Sequence, residues 1–496
     1  MPVPRAAYAG PLRHRAPEIV ITVPSPARTA VRWLHPLAWI IPPLVTYLLV
    51  NWRLTGPSLW ADELATWGAV RLDREQLRLL SGTVDAVLTP YYLALGHLTG
   101  DGVLDAHALR LPSLIAMTAT AAVVALIGRH AGGHLVGLLA GLLFAVLPVT
   151  SRYGQEARPY ALAMFFAALA LLALIGLLDR PTVPRAAAYA AAVAVTGLLH
   201  PLSALVMVAG HALAGWRAWR AWPPAALLGA APAAVLLHHA SDQAEQISWI
   251  SRAGTHTVRL LPEQLFVSPI AGGMVLALAV AGVRRDRTGW ALAAAGLAPP
   301  ALLLTAGAFT EIWVPRYVLV AMPALVVLAV VGAARAGRTH AAAFVALIVF
   351  LGNPAQLEIR EPDGHGQDSA RIAEVIIPRY LPGDAAVFPE GPSSIGWAAR
   401  DLYVHYLPEP RPGDVLAVTR QRADGNFLAV ECPDATCLGD PSRIWIIRTD
   451  SAADPVENMS EAKRDRILTG YRTVERWNYK LLNITLMERR PPPKRR

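Results

Sequence analysis

Charge is scarce in this chain: Asp, Glu, Lys and Arg make up 16% of its 496 residues, against 54% hydrophobic. With a positive mean hydropathy, that balance excludes an ordinary soluble protein and predicts a polytopic membrane protein. Lysine is nearly absent beside arginine and alanine, the usage of a GC-rich genome. The formal charge of +9 does not indicate nucleic acid, because the basic residues fall in short clusters between apolar runs, with no aromatic-interleaved basic face. They read as topology signals. There is no GxxxxGK[ST] phosphate loop and no nucleophile elbow, which argues against energy from bound nucleoside triphosphate. No short repeat is visible.

Residues 1–32, rich in Pro, Ala and Arg, lack a compact apolar core ending at a small-residue cleavage site. A disordered cytoplasmic tail and an uncleaved signal anchor are expected. A spanning helix needs about 20 mostly apolar residues. About eleven segments approach that requirement, near 33–51, 109–128, 131–149, 160–178, 186–200, 202–216, 223–238, 267–283, 290–308, 317–334 and 339–354. Every second connection is basic, as at Arg129-His130, Arg180 to Arg185, Arg217 to Arg220, Arg284 to Arg287, and Arg335 with Arg338. The positive-inside rule places these, and the N-terminus, in the cytoplasm. The connections 52–108, 150–159, 200–201, 239–266 and 309–316 then face outward.

A transmembrane domain over 33–359 is thus expected in the plasma membrane. It is followed outside by a small α/β domain over 360–490 and a basic tail, 491–496. In the C-terminal domain "DAAVF", "DVLAV", "RIWIIR" and "NITLMER" read as strands, and "SARIAEVIIPRYL" and "SEAKRDRILTGY" as amphipathic helices. Cys432 and Cys437, the only cysteines, fall here. An outward location allows a disulfide, while the short loop between them would gain little from one; both states stay open.

The candidate chemistry lies on the outward face. "GPSLWADELATWGAV" sets Asp62 and Glu63 beside Trp60 and Trp67 just beyond the first span. The acids suit the first turn of a helix, and equally a reaction at the membrane boundary on a lipid-borne substrate. "SRYGQEARPYAL" crowds Arg152, Gln155, Glu156, Arg158 and Tyr160 into the next outward loop. Local Glu–Arg pairing would fix the turn, whereas a polar pocket would offer guanidinium to an anion and carboxylate and amide to hydroxyls. "EIWVPRYVLV" puts Glu311, Arg316 and Tyr317 at the mouth of a later span, where an outward arginine suits an anionic group. Tyr91, Tyr92, His97 and His200 complete the polar groups of that face. His238, His239, Asp242 and Glu245 offer one i, i+4 pair for a divalent metal, a common spacing and a weak signal.

Together "ADELATW", "SRYGQEARPYAL" and "PRYVLVAMPAL" resemble the GT-C membrane glycosyltransferases, within the group of protein O-mannosyltransferases, lipid A aminoarabinose transferases and their actinobacterial relatives. The likeness covers the membrane part, about two-thirds of the chain. It implies transfer of a sugar, foremost mannose, from a polyprenyl phosphate donor to an envelope glycan, glycolipid or protein acceptor. Asp62 would be the base and Glu63 would shape its pocket. Arg316 and Arg158 would stabilise the leaving phosphate, with Tyr91, Tyr92, Arg152, Gln155, Glu156, Tyr160, His200 and Tyr317 lining the substrate site. A single displacement would invert the anomeric centre. The first outward loop lacks an Asp-x-Asp triplet, so no obligatory metal or other cofactor is expected. A transporter or flippase for a polyprenyl-linked glycan is the alternative; it predicts ionisable residues near the bilayer midplane and internal symmetry between halves. A silent subunit with a glycan-binding C-terminal domain is the third.

Overall fold

The computed structural model describes residues 26–100, 104–243, 248–390 and 396–491. Most of the tail expected over 1–32, Glu245 of the metal candidate, and all but the first residue of the basic tail lie outside them. The chain is mostly helical, with a small sheet region near its C-terminus. A helix over Pro26–Asn51 begins inside the segment expected as tail.

Each of the eleven apolar segments coincides with helix. Among the described residues, however, five helices are long and apolar enough to cross a membrane: Ala106–Gly132, Tyr160–Asp179, Arg287–Phe309, Pro315–Ala334 and Arg338–Glu358. The number rises to seven if two bent pairs each count as one span. The bends have local causes. His134–Val146 turns by 60° into Pro148–Gly154 at the proline. Thr255–Phe266 turns by 96° into Pro269–Ala281 where Val267 takes a left-handed φ of 62° and Pro269 follows. Pro201–Gly215 is a 15-residue helix, about 22 Å at 1.5 Å per residue and short of the roughly 30 Å hydrocarbon layer.

The helices share one large apolar core centred on Pro315–Ala334 and its neighbours. Side chains such as Leu227, Leu228, Ile270, Phe309 and Phe350 point outward, exposed, as lipid-facing residues do. The basic connections meet at one end of the bundle: Arg284 donates to the Ala131 carbonyl at 2.8 Å, Arg335 to Val283 at 2.8 Å and Arg287 to Leu178 at 3.3 Å. The connections carrying Asp62, Arg158 and Arg316 meet at the other.

At that second end, the long connection after the first helix forms three short helices, Ala61–Val70, Arg74–Thr83 and Thr89–Thr99. They pack against the C-terminal domain through a shared apolar core that includes Leu64, Trp67, Tyr92, Ile372, Phe388, Leu402 and Trp445. Backbone links reinforce the join: the Ser58 N–H donates to the Pro362 carbonyl at 2.8 Å and the Leu59 N–H to the Tyr406 hydroxyl at 2.8 Å. Arg360, fully buried, donates to the carbonyls of Trp52 and Leu49 and to Ser151 Oγ, tying the two ends of the helical part to the second loop.

The C-terminal domain contains strands β1 (Ala385–Val387), β2 (Ala417–Thr419), β3 (Val430–Glu431), β4 (Arg443–Arg448), β5 (Tyr471–Tyr479) and β6 (Leu482–Arg489). The main sheet runs β1-β4-β6-β5, with β1 parallel to β4 and the other pairs antiparallel. In β4, Trp445 and Ile447 face the core shared with the loop helices while Ile444 and Ile446 face a second core with Ile467 and Met487, as a period of two requires. Three of the expected strands are present, "RIWIIR" with its exact bounds, whereas "DVLAV" overlaps β2 only at Ala417 and Val418. β5 and the helix Gly396–Tyr406 were not expected. β5 is an exposed edge rich in charge, so it carries no apolar alternation to read.

Candidate functional site

The two acids occupy the first turn of helix Ala61–Val70, but they face different surroundings. Glu63 is fully buried and accepts from Arg110 Nε at 2.8 Å and Nη2 at 2.7 Å, and from the Ala157 N–H at 2.8 Å. Burial alone would push its pKa up, yet the Arg110 guanidinium more than offsets this and holds it far below the usual carboxylate range. Arg110 itself is closed off by the carbonyls of Leu54, Pro57 and Ser58. Glu63 therefore fixes the loop and shapes the pocket.

Asp62 stays partly open, its side chain 22% exposed. Its Oδ2 lies 3.8 Å from Arg158 Nε and 3.6 Å from Arg316 Nη2, and accepts no hydrogen bond. Arg158 Nη1 bonds the Asp62 carbonyl and Thr66 Oγ1 at 3.3 and 3.4 Å. Neither Arg158 Nε nor Arg316 Nε has a hydrogen-bond partner. Arg316 stands over the rings of Trp60, Tyr160 and Trp249, at 5.6 to 5.9 Å from their centroids. A carboxylate oxygen bracketed by two incompletely bonded guanidinium groups can yield those arginines to an incoming anion.

Beside it, Trp60 Nε1 donates to Glu156 Oε1 at 3.1 Å, and Glu156 Oε2 is 3.1 Å from Arg152 Nη1. The surrounding protein raises the pKa of Glu156, burial being the main cause. The sequence matches no protein-family model and no curated relative.

The structure thus brings Asp62, Arg158, Arg316, Glu156 and Arg152 together from three connections. Tyr160 borders them: its ring is 5.5 Å from that of His200, which is 4.7 Å from Tyr317. His200 is buried, with Nδ1 receiving the Ser203 N–H, and Ser203 Oγ donates to the Tyr317 carbonyl. Both His200 and Tyr317 thereby hold the helix Pro201–Gly215 to the segment that carries Arg316. Gln155 is fully buried and spends its amide N–H groups on the carbonyls of Val50 and Trp52, at 2.7 and 2.9 Å; it anchors the loop. Tyr92 donates to Asp85 Oδ2 at 2.5 Å, and Tyr91 is buried against Tyr92. Glu311 pairs with exposed Arg252, and His97 is exposed; neither joins the cluster.

Among the described residues, no group of three His, Cys, Asp or Glu side chains converges as metal ligands would. Cys432 and Cys437 are unbonded thiols, and the Cys437 N–H donates to Cys432 Sγ at 3.0 Å.

Sequence reasoning missed Arg110, Thr66, His365 and Gln367. Arg110 had a signal: it is the only Asp, Glu, Lys or Arg residue between Asp105 and Arg129, and a charge in such a run demands a partner. Thr66, one turn beyond Asp62 on the same helix, carried no charge to mark it, and His365 and Gln367 meet the site only through the docking of the C-terminal segment.

Proposed function

We propose that the chain is a GT-C-like glycosyltransferase of about eleven spans. It moves a sugar, mannose foremost, from a polyprenyl phosphate to an envelope glycan, glycolipid or protein on the outer face of the plasma membrane. The N-terminus would be cytoplasmic and the C-terminal domain outside. The observation that carries this reading is Asp62 Oδ2 held by ion pairing alone between Arg158 and Arg316.

In this mechanism the donor phosphate draws Arg316 and Arg158 toward its oxygens, freeing the Asp62 carboxylate. Asp62 then accepts the proton of the acceptor hydroxyl as that oxygen attacks the anomeric carbon. The bond from that carbon to phosphate breaks, and the guanidinium groups stabilise the charge growing on the leaving phosphate. The anomeric configuration inverts. Glu63 would hold the Asp62 turn in place, with no proton transfer of its own.

The flippase alternative needs ionisable groups near the bilayer midplane, whereas the cluster above gathers three connections at one end of the bundle. The test is transfer by purified protein in lipid nanodiscs, supplied with a panel of radiolabelled polyprenyl-phosphate sugars and envelope glycolipid. Label moving to acceptor supports the proposal. No transfer with any donor, together with movement of the labelled lipid between leaflets, replaces it with the flippase.

A further inference from the structure

The strap 365–369, which leads into the C-terminal domain, runs past the turn that holds Asp62. Gln367 Oε1 accepts the Ala61 N–H at 3.0 Å, and His365 Nδ1 lies 3.7 Å from Glu63 Oε2. Both residues are at least nine-tenths buried, His365 at 4% and Gln367 at 1% exposure. Yet Gln367 Nε2 and both ring nitrogens of His365 lack a hydrogen-bond partner within the protein. So do Arg152 Nη1 and Glu156 Oε2 across the same turn, which lie 3.1 Å apart without hydrogen-bond geometry. Buried donors and acceptors left without hydrogen bonds are costly to the fold. Such a concentration in one place points to groups supplied by a ligand.

The kind of ligand follows from the hydrogen-bond inventory. Gln367 Nε2 and Arg152 Nη1 are donors, and Glu156 Oε2 is an acceptor. His365 is neutral, because burial, reinforced by the charge of Arg152, lowers its pKa to about 3; it therefore supplies one donor and one acceptor. A phosphate would ask for donors alone and a cation for acceptors alone. A hydroxyl group both donates and accepts, which this mixed set satisfies. The indole of Trp60, bonded to Glu156 and 5.6 Å from the Arg152 guanidinium, adds an apolar face of the kind that packs on a sugar ring.

We infer that His365 and Gln367, with Trp60, Arg152 and Glu156, form a subsite for the hydroxyl groups of a carbohydrate ring, contributed in part by the C-terminal segment. Asp62 follows Ala61, whose N–H Gln367 accepts, and its Oδ2 lies 3.8 and 3.6 Å from Arg158 and Arg316. The inference rests on the proposed transferase only for the identity of the sugar as a substrate. It gives the C-terminal segment a role in binding as well as in packing against the loop helices.

Saturation-transfer NMR on the full-length protein in nanodiscs tests it, with methyl α-mannopyranoside and methyl α-arabinofuranoside as probes and sorbitol as control. Gln367→Glu keeps the oxygen that accepts the Ala61 N–H and removes the unmatched donor; His365→Phe removes both ring nitrogens at similar volume. At least one glycoside is expected to bind wild type, with Kd raised tenfold or more in both folded variants and polyprenyl phosphate binding unchanged. If His365→Phe fails to fold, Gln367→Glu alone decides. Failure of both glycosides to bind wild type overturns the subsite, as does undiminished binding in the folded variants, which would mark the strap atoms as sites for structural water only. Glycoside binding without sugar transfer would keep the subsite and sink the transferase. Transfer with undiminished glycoside binding in the variants would do the reverse.

Discussion

Glu63 and Arg110 form a bidentate ion pair sealed from solvent, with both side chains at 0% exposure and contacts of 2.8 and 2.7 Å. The pair joins the turn that presents Asp62 to the helix Ala106–Gly132. Removing one partner leaves the other charge buried and unpaired, which costs about 3–5 kcal/mol. Glu63→Leu and Arg110→Met should each lower the thermal unfolding temperature of the protein in detergent. The double variant Glu63→Leu/Arg110→Met should lose less than the sum of the two single losses, and strict additivity would show that the pair is not coupled.

The same buried groups set an acid limit. Glu63 has a folded pKa depressed below its unfolded value of 4.5, so its contribution is full above about 4.5 and is lost as pH falls below it. His365 also has a depressed folded value, about 3 against 6.5. Its contribution is full above 6.5 and drains away toward pH 3, because the unfolded state takes up a proton that the folded state refuses. The contributions of Glu63 and His365 should fall from pH 6.5 downward, and His365→Phe should make the loss of stability between pH 6.5 and 5 smaller. An unchanged slope in that variant would remove His365 from the acid response.

Asp85 works in the opposite direction. Burial is the chief cause that raises its pKa from 3.8 to about 6, despite the Tyr92 hydrogen bond. A raised folded value favours the folded state below 3.8, and that advantage is lost as pH rises through 6. Asp85→Asn should therefore raise the unfolding temperature at pH 7.5 more than at pH 4, by an amount corresponding to at most about 3 kcal/mol. Equal shifts at the two pH values would contradict it.

Much of the helical part was legible from hydropathy alone, because lipid-facing helices need long apolar runs. The span count was less so, since proline breaks at Pro148 and Pro269 and short helices such as Pro201–Gly215 blur what counts as a crossing. Asp62, Arg158 and Arg316 stood out as charges at the ends of apolar runs, and the structure places them together. Gln155 and Glu63 stood out equally, yet they turn inward to the backbone and to Arg110. A one-residue step along a helix turn separates Asp62 from Glu63 by about 100°, and pattern alone cannot tell which of two adjacent acids faces the site. His365 and Gln367 were invisible because their place depends on contacts across some 300 positions of sequence.

Helix packing supplies a further prediction. At Gly282 an added methyl would meet the Leu328 carbonyl oxygen at 2.0 Å, and at Gly332 it would meet the Leu278 carbonyl oxygen at 2.1 Å. These neighbours are backbone and cannot swing aside, so the two chains approach only because both positions lack a side chain. Gly282→Ala and Gly332→Ala should each reduce folded yield in membranes and lower the unfolding temperature, by an overpacking cost of about 1–3 kcal/mol or more. A control at Gly273, where an added methyl meets nothing within 4 Å, should be close to neutral.

Arg316 should matter more to catalysis than to folding, since its side chain is 22% exposed and lies 3.6 Å from Asp62 without a hydrogen bond. Arg316→Ala is expected to reduce kcat for transfer about 10²- to 10³-fold, the scale seen when one preorganised donor to a developing charge is removed. The unfolding temperature should change little. A loss confined to thermal stability would make the residue structural.

Asp62 is the proposed base. The direct measurement is single-turnover sugar transfer by Asp62→Asn beside wild type, in nanodiscs preloaded with labelled polyprenyl-phosphate sugar and saturated with acceptor, with donor binding measured on the same samples. Donor should stay bound while the rate of transfer falls by about 10²-fold or more. Transfer at the wild-type rate by a folded Asp62→Asn protein would contradict it.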